Sequence, residues 1–310
     1  MADFKGTREA FAQAIIDMAQ TDDKIMFVSP DSLKAMRATK FADLHPDQYV
    51  EVGIAEQCAV DVASGLAACG LTPFVGTYAG FLTMRACEQM RTFVAYPNLN
   101  VKFVGINTGL LGGEREGVTH QFYEDVGILS NIPNFTIFVP ADAAQTYHAV
   151  KAAAQIQGPV YVRAGSGREK DVYEKEVPFT MDGIRILREY GDEVLLLSSG
   201  FVLDRVLKAA ELLKEEGIGV TVGDVNIING KDPSKVVEAI KKAKKIVTVE
   251  DHNVNGGLGA YISRLSVEND PKPVKRMGLR TFGESGMADI LADHYGFSAE
   301  NIAKTVKEYR

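Results

Sequence analysis

The sequence predicts an α/β fold of two domains, each a mostly parallel sheet with helices on both faces. Three observations point there. Short apolar runs alternate with segments of helical period along most of the 310 residues, the pattern of strands joined by crossover helices. The alternation occurs in two series, and the length suits two domains. Between the series lies a polar stretch after Gly165 and Gly167 with a mixed run of charges. The expected organisation is a first domain at 1–165, a linker at 166–190 and a second domain at 191–310.

Thr7 is placed to cap a first helix with Phe11, Ile15 and Met18 on one face. Lys24–Val28 reads as a buried strand ending at Ser29-Pro30-Asp31, and 32–48 is more irregular. Tyr49–Val52 is a strand that enters a helix running from Ala55 to about Ala68. Pro73–Val75 is a strand, Phe81–Val94 a helix and Val101–Ile106 a strand. Gly109–Gly117 holds too many glycines for regular structure and should be a loop lying close to something. Phe135–Val139 is a strand. Asp142 caps the next helix, with Gln145 completing a capping box, and Val160–Arg163 is the last strand of the first series. The second series opens with strand Glu193–Leu197 and a helix with Leu203, Val206, Leu207, Ala210 and Leu213 on one face. Strand Gly219–Val225 follows, then a helix begun by Asp232-Pro233. Strand Ile246–Glu250, a helix after Gly256-Gly257-Leu258-Gly259, strand Val274–Met277 and two short helices complete the chain.

Composition excludes several classes. A net charge of −7 lacks the basic stripe that nucleic acid requires. No apolar run approaches the length that spans a membrane, and Met1-Ala2-Asp3-Phe4-Lys5 has no signal-peptide core. Cys58, Cys69 and Cys87 are few, odd in number and mostly in apolar surroundings. They read as reduced core thiols of a cytoplasmic protein, neither a disulfide frame nor a metal site.

In a parallel sheet the carboxyl ends of the strands share one edge, where such sheets build their sites. Asp31, Glu56, the turn at 76–81, the Gly-rich loop through His120, and Arg163 all fall at or just past predicted strand ends. Glu56 sits in a first helical turn, where the helix dipole favours a carboxylate. Each also has an ordinary reading. Glu56 could only support its helix, Asp31 make a turn, Phe81 fill the core, His120 start a helix and Arg163 be a surface cation.

Gly53-Ile-Ala-Glu-Gln57, Phe81-Leu-Thr83, Glu116-Gly-Val-Thr-His-Gln121 and Val139-Pro-Ala-Asp142, in this order and spacing, resemble the pyrimidine-binding domain of the thiamine diphosphate enzymes of the transketolase group. Residues 191–310 are similar to that group's C-terminal domain through Val249-Glu-Asp-His-Asn-Val-Asn-Gly-Gly-Leu-Gly259 and Thr281-Phe-Gly-Glu-Ser-Gly286. The resemblance implies that Glu56 hydrogen-bonds N1′ of the cofactor's aminopyrimidine and that Phe81 stacks on that ring, with Tyr78 beside it. It implies that Asp31 is a cofactor-side acid and that His120 contacts the donor's oxygens. Arg8 and Arg163 match arginines that bind a sugar's phosphate by forked hydrogen bonds.

The group also needs a pyrophosphate domain with a Gly-Asp-Gly sequence to hold Mg²⁺, and this chain has no such sequence. The resemblance therefore implies the C-terminal subunit of a split transketolase, with no metal ligand of its own. It would work only with a separate N-terminal subunit, in an α₂β₂ assembly. Four departures bear on the donor. Glu116 stands where Asp is usual, Arg115 beside it is unusual, Thr108 replaces a phosphate-contacting histidine and Ala35 a small hydroxyl residue. These suggest a non-standard sugar phosphate or a sulfonate. Alternatives are the β subunit of a 2-oxo acid dehydrogenase, a deoxyxylulose phosphate synthase-like enzyme, and a regulatory subunit with a vestigial site. A dinucleotide enzyme is weakly suggested by Gly256, Gly257 and Gly259, whose more economical reading is close helix packing.

Overall fold

The structure is a computed structural model that describes residues 5–310. The segment 1–4, read above for a signal peptide, lies outside the described residues. In chain order the first part contains α1 (Thr7–Ala19), β1 (Ile25–Ser29), α2 (Thr39–Leu44), β2 (Tyr49–Glu51), α3 (Glu56–Ala68) and β3 (Thr72–Tyr78). An irregular helical segment follows, with a π turn at Phe81–Arg85, α4 (Cys87–Gln89) and a second π turn at Met90–Ala95. Then come β4 (Lys102–Ile106), α5 (Asp125–Leu129), β5 (Thr136–Phe138), α6 (Ala143–Ala154) and β6 (Val160–Arg163). The second part contains β7 (Arg185–Glu189), β8 (Val194–Ser199), α7 (Leu203–Glu215), β9 (Val220–Asp224) and β10 (Ile227–Ile228). It ends with α8 (Ser234–Lys242), β11 (Lys245–Asn253), α9 (Leu258–Asn269), β12 (Val274–Leu279), α10 (Ala288–His294) and α11 (Ala299–Tyr309).

The strands form two sheets, in the orders β10-β5-β6-β4-β3-β1-β2 and β12-β11-β8-β9-β7. Pairing is parallel except at one edge of each sheet, where β10 runs against β5 and β7 against β9. Both sheets are covered on two faces, which is why β1, β4, β5, β6 and β8 are buried along their whole length. The predicted α/β architecture of two mostly parallel sheets is therefore the observed one.

Several local expectations change. β6 is not the end of the first sheet, because β10, contributed from the second half of the sequence, pairs Ile227 with Phe138 and Ile228 with Ile137. β7 occupies the end of the stretch read as linker. One core runs through both parts, joining Val75, Phe103 and Ile137 to Leu197, Ile240 and Ile262. Thr7 is inside α1, whose N-cap is Gly6; its hydroxyl instead accepts the Gly165 amide at 3.0 Å. Asp142 caps α6 through the Gln145 amide at 2.8 Å, but the Gln145 side chain donates to the Val177 carbonyl, so the box is half made. The second Asp142 oxygen takes the amides of Val172 and Tyr173, fastening the connecting segment to the first sheet. The helix expected at 81–94 is broken by its two π turns. The cysteines are not core thiols: all three are free, with Cys58 and Cys69 exposed and Cys87 half-buried.

Candidate active site

The carboxyl ends of β1, β2, β3, β4 and β6 meet at one edge of the seven-stranded sheet. β2 ends one turn before α3, and Glu56 is the first residue of that helix. Its side chain is only 3% exposed. Facing it is the π turn after β3. Phe81 opens that turn and stands among aromatic neighbours, with ring centroids 5.4 Å from Tyr78, 5.4 Å from His120 and 5.6 Å from Phe122. His120 also meets Tyr78 edge-on at 5.0 Å, and its Nδ1 lies 2.9 Å from the Thr119 hydroxyl. Glu56, Tyr78, Phe81 and His120, chosen from separate stretches of sequence, are thus brought together.

Arg85, which the sequence pattern does not single out, joins them. Its Nη1 is 2.7 Å from Glu56 Oε1, and its guanidinium carbon lies 4.3 Å above the centre of the Phe81 ring. A planar, nitrogen-bearing group therefore fits between the carboxylate and the aromatic face and uses both.

Arg8 lies at the same edge, buried in α1. Its guanidinium donates to the carbonyls of Gly165 (3.1 Å) and Ala35 (3.3 Å) and to Asn107 Oδ1. Burial pulls its pKa down from the ordinary arginine value, against the opposing fields of Tyr78, Glu116 and Glu169. Asn107, just past β4, is held in the left-handed region at φ 57°. Its amide nitrogen is buried without a partner, as is the hydroxyl of Ser166. Glu116 and Arg115 are exposed on the loop. Between them and the protein lies Glu114, buried, with Arg168 at 2.5 Å and Arg115 at 3.8 Å. Asp31 is exposed, with its own amide held 2.7 Å from Glu51. Thr108 is fully buried and bonds the Ala164 carbonyl.

Arg163 does not join the group. It is 2% exposed and its donors are engaged inside the protein, with Nε at 2.9 Å from Asp125 Oδ2 and Nη2 at 2.9 Å from the Asp251 carbonyl. Reading it as a surface cation fails because its partner, Asp125, lies 38 positions away and nothing local in the sequence announces it. The cations exposed beside the loop are Arg115, 57% exposed, and Arg168, 41% exposed, the second of which the sequence presents only as part of a charge run.

The Gly-rich loop lies against the second domain. Asp251 of β11 accepts the amides of Leu110 at 2.7 Å and Leu111 at 2.8 Å. Gly109, at φ 75°, comes so close that a Cβ would overlap the Asp251 carboxylate. The 281–286 segment braces the loop from the other side, through the Gly286 amide on the Glu114 carbonyl and Gln121 on the Glu284 carbonyl. Gly256, in the turn before α9, packs directly against Gly127 of α5, whereas Gly257 and Gly259 lie against side chains of β11 and β12, so the glycine run serves close approach to strands as well as to a helix.

Beneath the site the interface between the domains is lined by buried ionisable groups. Burial pushes Glu250 and Asp224 up to about 7 and Asp251 up to about 6, and pulls His252 down to about 4. For the three carboxylates, whose folded pKa is raised, the stabilisation is complete below pH 4 and is lost as pH rises through 6 to 7. His252 has the opposite sign: its contribution is present above its ordinary 6.5 and is lost as pH falls toward 4. Three groups outweigh one, so folded stability should decline from pH 5 to pH 7.5, by roughly 1–3 kcal/mol. Glu250→Gln should flatten the decline. Thermal denaturation across that range checks both, and a wild-type profile rising with pH would refute the assignment.

Comparisons with known proteins show the family. Residues 5–167 match the family "Transketolase, pyrimidine binding domain" and residues 182–302 match "Transketolase, C-terminal domain". The chain belongs to the transketolase family. It is 35% identical over 302 residues to a 6-deoxy-6-sulfo-D-fructose transketolase subunit of Clostridium sp. (strain MSTE9), covering 97% of this chain and 93% of that protein. It is 34% identical over 305 residues to an apulose-4-phosphate transketolase subunit of Phocaeicola vulgatus, covering 97% and 96%. Among solved structures, a split gene transketolase described as an inactive β4 tetramer superposes with a TM-score of 0.88 at 33% identity, covering 99% of this chain and 98% of that one. Transketolases are transferases, and the family implies dependence on thiamine diphosphate. Among the described residues no helix is long and apolar enough to cross a membrane.

Proposed function

We propose that this chain is the C-terminal subunit of a thiamine diphosphate-dependent transketolase that moves a two-carbon ketol unit from an anionic ketose to an aldose in the cytoplasm. The observation that carries the reading is Glu56 beside Phe81 at the sheet edge, with a planar nitrogen group already fitting between them. When bound, the cofactor would supply the carbon nucleophile that this chain lacks. Glu56 would hold a proton at N1′ of the aminopyrimidine, and Phe81 and Tyr78 would fix the ring's plane. His120, on the loop braced by Asp251, would donate to the donor's oxygens. Asp31 stands at the same edge as a cofactor-side acid. The Gly-Asp-Gly element and Mg²⁺ would come from an N-terminal transketolase subunit, giving α₂β₂.

The donor's anionic end falls to a different set of groups than the motif suggests. Arg163 is committed to Asp125, so Arg168 and Arg115 would take the anion, with Arg8 and the unpartnered amide of Asn107 behind them and Glu116 setting the loop's charge. Two relatives are named for a sulfonated and a phosphorylated ketose. A sulfonate or an unusual sugar phosphate therefore fits better than a common pentulose phosphate. Co-purification with a chain carrying Gly-Asp-Gly, then kinetics on 6-deoxy-6-sulfofructose, apulose 4-phosphate and xylulose 5-phosphate, tests this. The pair should turn over and neither chain alone should. Clear preference for xylulose 5-phosphate would overturn the donor assignment, and turnover by this chain alone would overturn the split-site reading.

A further inference from the structure

The contacts of Arg85 are the two contacts assigned to the aminopyrimidine. Its guanidinium stacks on Phe81, 4.3 Å from the ring centre, and its Nη1 bonds Glu56 Oε1 at 2.7 Å. Both a guanidinium and an aminopyrimidine are flat, offer N–H donors in the ring plane and stack on aromatic faces. Glu56 is buried and Arg85 is 48% exposed, so the acid is fixed and the cation is the member free to leave. The π turn at Phe81–Arg85 carries both residues that cover the ring. Single π turns recur at functional sites.

We propose that Arg85 is a self-contained competitor for the pyrimidine subsite, a latch that must swing off Phe81 and Glu56 before the cofactor's ring can enter. This rests on the pyrimidine reading of that subsite given above. Latched, Arg85 neutralises the charge on Glu56 and shields the Phe81 face from water. Released, it moves into solvent, where half of its surface already lies. The cation–π contact and the half-exposed ion pair together favour the latched rotamer about tenfold, and apparent affinity for the ring falls by the same factor.

The test uses the full chain and the pyrimidine half of the cofactor, 4-amino-5-hydroxymethyl-2-methylpyrimidine, titrated by NMR. Thiamine diphosphate binding to the chain reconstituted with its N-terminal subunit gives a second reading. Arg85→Ala should bind the probe about tenfold more tightly than wild type. Arg85→Lys, which keeps the charge and loses the plane, should fall between them. Glu56→Ala should weaken binding in either background. Probe binding by wild type that Arg85→Ala leaves unchanged or weakens overturns the latch and leaves the pyrimidine subsite standing. Folded wild type and Arg85→Ala that both fail to bind probe and cofactor, even with the N-terminal subunit, overturn the subsite itself and the latch with it.

Discussion

Replacing Glu56 by Gln in the assembled enzyme lowers turnover by about a hundredfold to ten-thousandfold, with little change in folded stability. Gln keeps the size and one oxygen of the side chain but holds no exchangeable acid proton. The Arg85 contact it disturbs is half-exposed, and such ion pairs add roughly 0–1 kcal/mol. The folded chain should therefore keep its melting temperature to within a few degrees while steady-state rates collapse. Parallel melting curves and kinetics on the reconstituted pair check this. Near-normal turnover in Glu56→Gln would remove the acid from the reaction.

Asp125→Ala carries the largest expected loss of stability. Asp125 is fully buried at the start of α5. It receives Arg163 Nε at 2.9 Å and the Tyr161 hydroxyl at 2.8 Å, and His252 Nε2 lies 3.6 Å away. Burial opposes the charge on Arg163, but Asp125 and then Asp251 more than offset it, so its pKa is raised. Removing the carboxylate leaves a buried guanidinium without its directly paired counter-charge, the field of Asp251 alone remaining, a loss of about 3–5 kcal/mol. Asp125→Ala combined with Arg163→Met should recover part of that loss, because no charge is then stranded. Chemical denaturation of the three proteins checks the order. A single variant as stable as wild type would show that the pair does not hold the interface.

The sheet architecture and the site's edge were legible because both rest on local pattern. β1 and β4 announce themselves as apolar runs, Gly109–Gly117 as a loop in close contact, and Glu56 as an acid at a strand-to-helix junction. What was hidden depends on partners far away in sequence. β10 has two residues, too few for any periodicity, and exists only because β5 offers it an edge. The π turns at 81–95 keep a helical composition while changing the hydrogen-bond register. Arg163 and Arg85 are both placed by partners far away in sequence. The one at a strand end was claimed by Asp125, and the one inside a presumed helix reached back 29 positions to Glu56. The cysteines misled because small apolar neighbours on α3 line an exposed face in this chain.

The antiparallel seam between Ile227–Ile228 and Ile137–Phe138 bears on how the molecule can be cut. A fragment ending near residue 190 would keep the motifs of the first domain but bare one rim of its sheet, the row of amides and carbonyls on β5. Unsheathed rims of that kind recruit other chains. The apolar side chains of β5 would lose cover at the same stroke, since Leu197, Val236 and Ile240 belong to the same packed mass as Ile137. The halves of this subunit are thus spliced like two boards by a tongue from one set in the groove of the other, and dissecting them yields a sticky remnant in place of a smaller working part.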